Sequence, residues 1–143
     1  MKKDYIIPED LYYTKEHTWV KIDDKLAVIG ITDYGQDQLG TVVYVELPQK
    51  GDFVDAGEKV ASIESLKATV DIFSPLTGKI TNINDELNNE PDLINSEPYT
   101  SGWLYEIEMK DPSEIEDLLT AEDYKKYLEE LEDEDTEEEE EEE

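Results

Sequence analysis

Short runs of alternating apolar and polar residues, broken at close intervals by glycine, proline and acidic pairs, fill most of this chain. Trp19-Val20-Lys21-Ile22 and Leu26-Ala27-Val28-Ile29 flank the polar pair Asp23-Asp24, which predicts a hairpin. Residues 32–39 read as one short helix, with Thr32 as its cap and Gly40 as its stop. Residues 42–47 form a run rich in β-branched side chains, as in a strand. Gly51 and Gly57 bracket a tight corner. Residues 59–65 and 68–73 are the arms of a second hairpin with Lys67 at its tip. Ser74-Pro75-Leu76-Thr77-Gly78 turns the chain into another alternating strand over 79–84. Residues 86–98, rich in Asn, Pro and acids, read as a loop, and 103–109 as a closing strand. Many short strands at this spacing predict a mainly β fold, a small barrel or sandwich with a short internal helix. The strands on either side of Lys67 are alike in length and turn chemistry, as in a folded-over pair of half-units.

The pattern then changes period. Ser113 and Glu116 have capping-box spacing. Ile115, Leu118 and Leu119 form one helical stripe, and Tyr124, Tyr127, Leu128 and Leu131 a second, with Thr120 or Asp123 as cap. The expectation is a pair of C-terminal helices packed on the β body. Past Leu131 the chain is almost pure glutamate, which buries no apolar surface and repels itself. The chain is therefore expected to divide into one domain over residues 1–131 and a disordered acidic tail over 132–143.

Charge narrows the classes of partner. The 143 residues carry 12 basic and 40 acidic side chains, a net charge of −28. Even without the 13 acids of residues 129–143 the body carries 12 − 27 = −15. Such a body repels nucleic acid and anionic membrane surfaces. Every base is a lysine, so bidentate arginine clamps on phosphate are missing. No cysteine is present, which removes disulfides, thiolate metal sites and a cysteine nucleophile together. A single histidine, His17, argues against a multi-histidine metal site. No apolar run is long enough to span a membrane. Residues 1–8 lack the apolar core of a leader, so the expected location is the cytoplasm.

Lys67 is the candidate for chemistry. The plainer reading makes it one of 12 solvated lysines. It stands out because it sits centrally between two matched strands, with Glu64 three residues before it and Asp71 four after. No glycine or asparagine occupies the tip, so a type I turn through Ser65-Leu66-Lys67-Ala68 is expected, with the amine directed to solvent. A hairpin tip gives a modifying enzyme unhindered access to an amine. Once acylated, the lysine becomes a long uncharged arm, and the reaction chemistry belongs to the attached group.

Several segments, in order, carry a resemblance. They are Tyr13-Thr14-Lys15-Glu16-His17 followed by Trp19-Val20; Gly30-Ile31-Thr32-Asp33-Tyr34-Gly35 continuing to Gly40; Val42-Val43-Tyr44-Val45-Glu46-Leu47-Pro48; Glu64-Ser65-Leu66-Lys67-Ala68; Ser74-Pro75-Leu76-Thr77-Gly78; Pro91-Asp92-Leu93-Ile94-Asn95-Ser96-Glu97-Pro98-Tyr99; and Gly102-Trp103-Leu104. On these residues the chain resembles the H-proteins of the glycine cleavage system. The resemblance implies a barrel-sandwich hybrid of the lipoyl/biotinyl type, with lipoate amide-linked to Lys67. It implies a non-catalytic carrier. The arm takes an aminomethyl group from glycine decarboxylase (P-protein) and presents it to the aminomethyltransferase (T-protein). Dihydrolipoamide dehydrogenase (L-protein) then reoxidises it, and a lipoate ligase or lipoyltransferase attaches it in the first place. Glu64 and Gly78 match positions associated with recognition by the lipoylating enzyme, although Gly78 also reads as the last residue of the Pro75 turn. Glu16, Thr18 and Asp71 match positions lining a cleft for the loaded arm. Thr18 departs from the family pattern, which has a glutamate there, and offers a hydroxyl instead of a full charge.

Other functions fit less well. A biotin carrier has methionines on both sides of the lysine, where Leu66 and Ala68 stand. A lipoyl domain of a 2-oxo acid dehydrogenase has an acid just before the lysine and a linker to a catalytic domain. An H-like donor that relays lipoate to other complexes, and an acidic interaction protein that is never lipoylated, remain as alternatives. No catalytic constellation is present, and pairs of carboxylates arise by chance in so acidic a chain.

Overall fold

A computed structural model describes residues 5–131 in full and, beyond them, only the backbone of the last helix. In chain order the elements are β1 (Tyr12–Tyr13), β2 (Thr18–Asp23), β3 (Leu26–Ile31), α1 (Asp33–Leu39), β4 (Val42–Glu46), β5 (Phe53–Val54), β6 (Lys59–Ser65), β7 (Thr69–Phe73), β8 (Gly78–Ile83), α2 (Leu93–Ser96), β9 (Tyr105–Met109) and α3 (Ala121–Glu142). The strands make two antiparallel sheets. One is six-stranded in the order β1-β2-β3-β9-β8-β5, the other three-stranded in the order β4-β6-β7. The inward members of the alternating runs, among them Val20, Ile29, Ile63, Leu76, Ile80 and Ile107, are wholly buried and form one core between the sheets. The expected mainly β fold is present, and the alternation that predicted it is the alternation of buried and exposed faces.

Local chemistry sets the element ends. The Thr32 hydroxyl accepts from the Gly35 amide at 3.1 Å and starts α1, which stops at Gly40 with φ of 83°. The first hairpin turns at Asp24-Lys25, one residue later than expected, because Asp23 still pairs with Leu26. Asp24 takes the strain of the turn at φ 57°, a left-handed conformation that aspartate tolerates.

The two-residue strands β1 and β5 fall where no strand was expected, β5 inside the Gly51–Gly57 corner, and two longer segments also differ from the sequence reading. The expected loop over 86–98 contains a 3-10 turn at Asp85–Asn88 and the short helix α2. Leu87 and Ile94 are fully buried, so each turn pins the segment to the core by one apolar side chain. The first of the two C-terminal helices is a 3-10 turn, Pro112–Asp117, started by Asp111 and not by a Ser113–Glu116 box. The Asp111 carboxylate accepts from the Ser113 amide at 3.1 Å and its hydroxyl at 2.6 Å, which holds its pKa below the usual carboxylate value. Thr120 does cap α3, accepting from the Asp123 amide at 3.2 Å.

The first turns of α3 lie against the β1 edge of the large sheet. Tyr124 and Leu128 join Leu11, Tyr13 and Trp19 in a second, smaller core, and the Tyr13 and Tyr124 rings stack with centroids 4.7 Å apart. The disordered acidic tail expected over 132–143 lies outside the fully described residues.

Candidate functional site

Lys67 stands exposed at the tip of the β6–β7 hairpin, where Ile63 pairs with Val70 and Glu64 with Thr69. At the tip the Ser65 amide donates to the Ala68 carbonyl at 2.8 Å, the reverse of the bond expected for a type I turn. The Ser65 hydroxyl accepts from the amides of Lys67 at 3.3 Å and Ala68 at 3.1 Å, and donates to the Ala68 carbonyl at 3.2 Å. Ser65 is itself buried, 5 % exposed, so its hydroxyl acts as an internal splint for the turn. The Leu66 amide donates to the Thr41 carbonyl at 3.0 Å, which ties the tip to the corner between α1 and β4.

The lysine is exposed, but its stem is not free along its whole length. It lies across Gly40: a Cβ placed there would sit 3.2 Å from Lys67 Cε and 3.7 Å from Cδ. A side chain at this position would have to push the lysine off its path. Positive φ at Gly40 disfavours any L residue as well.

Beside the tip runs an open groove of about 220 Å³. Ile31, Leu39, Ala68, Val70 and Ile72 supply its apolar wall, and Glu16, His17, Gln38 and Asp71 its polar groups. Two of the three residues expected to line an arm cleft, Glu16 and Asp71, are therefore brought together here. Thr18 is not: it is 2 % exposed, and its hydroxyl shares a 2.6 Å hydrogen bond with the Thr14 hydroxyl. It steadies the turn that presents Glu16 and His17 without facing the groove. Asp71 also pairs with Lys59 at 3.3 Å, both side chains about half exposed, a contact that water screens heavily.

His17 sits at φ 69° and is wedged among rings, with the Tyr34 centroid 4.6 Å away. Its Nδ1 shares a hydrogen bond of 2.9 Å with the Tyr124 hydroxyl, which in turn meets the Thr32 hydroxyl at 2.7 Å. Burial favours the neutral ring and pushes its pKa down to about 4. So His17 is an uncharged wall of the groove at neutral pH. Tyr124 links that wall to the cap of α1, and desolvation keeps its phenol protonated far above the physiological range.

Glu64 is exposed on β6, in register with Tyr44 on one side and Thr69 on the other. Gly78 begins β8 in the other sheet, paired with Met109. A Cβ on Gly78 would fall 2.0 Å from the Glu108 carbonyl oxygen, so the strands close only around a glycine. Glu64 and Gly78 thus lie on different sheets, and Gly78 has a packing role that the turn reading did not reveal.

The family profile described as glycine cleavage H-protein matches residues 11–131. A relative named glycine cleavage system H protein 4, from Aquifex aeolicus, is 52% identical over 132 residues, 92% of this chain and 77% of that protein. The glycine cleavage system H protein of Listeria monocytogenes is 50% identical over 123 residues, 86% of this chain and 98% of its own length. The chain belongs to the glycine cleavage H-protein family. The crystal structure of a family member from Mycobacterium marinum superposes with a TM-score of 0.77 at 35% identity, covering 82% of this chain and 95% of that one.

Two contributors to the site escaped the sequence reading. Gly40 was legible only as a helix stop, although a glycine before a β-branched strand also marks a place where another chain segment passes close. Tyr124 was legible as part of an apolar stripe. Its hydroxyl function needed the third dimension, because its partners are 107 and 92 positions away.

Proposed function

We propose that this chain is the lipoyl carrier of its glycine cleavage system, with lipoate amide-linked to Lys67. The observation that carries this reading is the exposed lysine, held on a splinted hairpin tip, next to a groove with an apolar wall and two carboxylates. An aliphatic arm suits the wall formed by Ile31, Leu39, Val70 and Ile72, since covering those side chains removes apolar surface from water. Glu16 and Asp71 are suited to a cationic amine arriving in the same groove.

The chain's own residues bind, orient and shield. Attachment requires the neutral Nζ of Lys67 to attack an activated lipoate carbonyl. The C–N bond forms, the activating group leaves, and the amine proton passes to solvent. Gly40 leaves room for the stem on the near side. Ser65 keeps the turn from splaying, and neutral His17 offers the groove a ring with no charge to repel an incoming ammonium. When bound, lipoate supplies a dithiolane that can take up a one-carbon amine and two electrons. The chain, lacking cysteine, contributes no competing thiol. Glu64 and Gly78 are proposed as marks for the lipoylating enzyme, and Glu16 and Asp71 as the acids of the arm groove. The partners are the P-, T- and L-proteins, and the carrier itself performs no catalytic step.

The test is intact mass after incubation with a lipoate ligase, lipoate and ATP, followed by glycine decarboxylation assays with the partner enzymes. Wild type should gain one lipoyl group and support turnover. Lys67→Arg should gain none and support none while keeping its melting temperature. Activity retained in Lys67→Arg would exclude the site.

A further inference from the structure

We propose that Asn95, on α2, is a positioning residue for Lys67, setting how the lysine is presented to the enzyme that acylates it; this rests on the lipoyl-carrier reading above. The Asn95 amide grips the backbone on both sides of Thr41. Its Oδ1 accepts from the Val42 amide at 2.9 Å and its Nδ2 donates to the Gly40 carbonyl at 2.8 Å. A third bond, from Nδ2 to the Gln36 Oε1 at 3.1 Å, turns the amide toward that corner.

The clamped corner is what the lysine hairpin rests on. The Leu66 amide donates to the Thr41 carbonyl at 3.0 Å, and Val42 pairs in register with Ser65. Gly40 carries the Lys67 stem, whose Cε would meet a Cβ there at 3.2 Å. Three successive residues, 40, 41 and 42, therefore each touch the hairpin tip, and one side chain fixes the two peptide planes that flank Thr41 between them. Gly40 at φ 83° has little steric restraint of its own, so a bond to its carbonyl does the work that a side chain does elsewhere.

Asn95 has two groups whose chemistry is hard to replace. An aspartate would keep the acceptor for Val42. It would lose the donor and set a charged oxygen against the Gly40 carbonyl. Gln36 can rotate its amide to meet a carboxylate, whereas the Gly40 carbonyl turns only if the corner moves. An alanine loses all three bonds.

The experiment uses the full-length apo chain, lipoate, ATP and a lipoate ligase, with wild type, Asn95→Ala, Asn95→Asp and a control, Ser96→Ala. Ser96 lies on the same helix, and its hydroxyl donates to the Asp92 carbonyl at 3.3 Å, away from the Gly40–Val42 corner. Lipoylation rates are read by intact mass, and exchange of the Leu66 amide hydrogen by NMR. Asn95→Ala is expected to raise the KM for the carrier about tenfold with kcat within about twofold. Its Leu66 amide should exchange about tenfold faster, because local opening of the corner frees that hydrogen bond. Asn95→Asp should fall between, and Ser96→Ala should match wild type. A folded Asn95→Ala with a lowered melting temperature but wild-type KM and wild-type Leu66 exchange would overturn the proposal. If Asn95→Ala does not fold, Asn95→Asp decides on the same two readouts. Leu66 exchange judges the clamp even if wild type is not lipoylated, an outcome that would count against the carrier reading itself.

Discussion

Replacing Gly78 by alanine should unfold part of the large sheet before it affects recognition by any enzyme. The added Cβ would lie 2.0 Å from the Glu108 carbonyl oxygen and 2.9 Å from its carbon, both backbone atoms of β9 that cannot rotate away. To reach the 3.4 Å of ordinary contact, the oxygen must retreat by 3.4 − 2.0, or about 1.4 Å. An opening of that size breaks the bonds flanking the Gly78–Met109 pair, at about 1 kcal/mol each. Overpacking strain adds about 1–3 kcal/mol. The total, about 3–5 kcal/mol, is a large part of the stability of an ordinary domain. For a body of this size it lowers the melting temperature by about 10–15 °C. The assay is thermal unfolding by circular dichroism on the apo protein, with lipoylation followed by mass on the same samples. A melting temperature within about 2 °C of wild type would refute the steric argument. Lost lipoylation in that stable protein would then assign Gly78 to recognition alone.

Acid should remove a contribution from His17. Its folded pKa, about 4, lies below the 6.5 of the free side chain, so the neutral form favours the fold. The contribution is complete above pH 6.5 and is lost as pH falls toward 4; for this partly exposed ring it is about 2–3 kcal/mol. Urea titrations of wild type and His17→Asn, a residue that accepts positive φ, should converge as pH falls through this window, and a constant gap would refute the assignment. Tyr124→Phe should cost about 1–3 kcal/mol at pH 7, since it strips a partner from both His17 and the buried Thr32 hydroxyl, and denaturant unfolding measures it directly. Truncation after Leu131 should leave the lipoylation rate within about twofold, because no apolar residue follows Leu131 in the sequence; a large loss would place an enzyme contact in the tail.

The strands, the α1 cap and the Lys67 hairpin were legible because each depends on neighbours in sequence. Thr32 and Gly35 lie three apart, and alternation in 59–65 and 68–73 is read off directly. The two-residue strand β1 was too short to leave a pattern. The segment over 86–98 read as loop because Leu87 and Ile94 are isolated apolar residues among acids, and their burial depends on a core built elsewhere. The tip went astray for a different reason: a serine side chain and a backbone carbonyl are both good acceptors, and only the packed geometry chooses the hydroxyl. Thr18 was placed in the groove by the family resemblance alone. In the structure its hydroxyl turns inward to Thr14 while Glu16 and His17 reach the groove.

The bond between His17 and Tyr124 also orders events in time. Synthesis delivers the lysine hairpin, the Thr32 cap and the Glu16 turn well before residue 124 exists, with 107 positions separating the two bonded rings. Until α3 arrives and Leu119 pairs with Tyr13, the β1 edge is bare and the groove lacks the brace behind its histidine wall. On the proposed reading, a nascent chain displays the lysine before it can shelter anything attached to it, and α3, which follows the hairpin from the ribosome, completes the shelter.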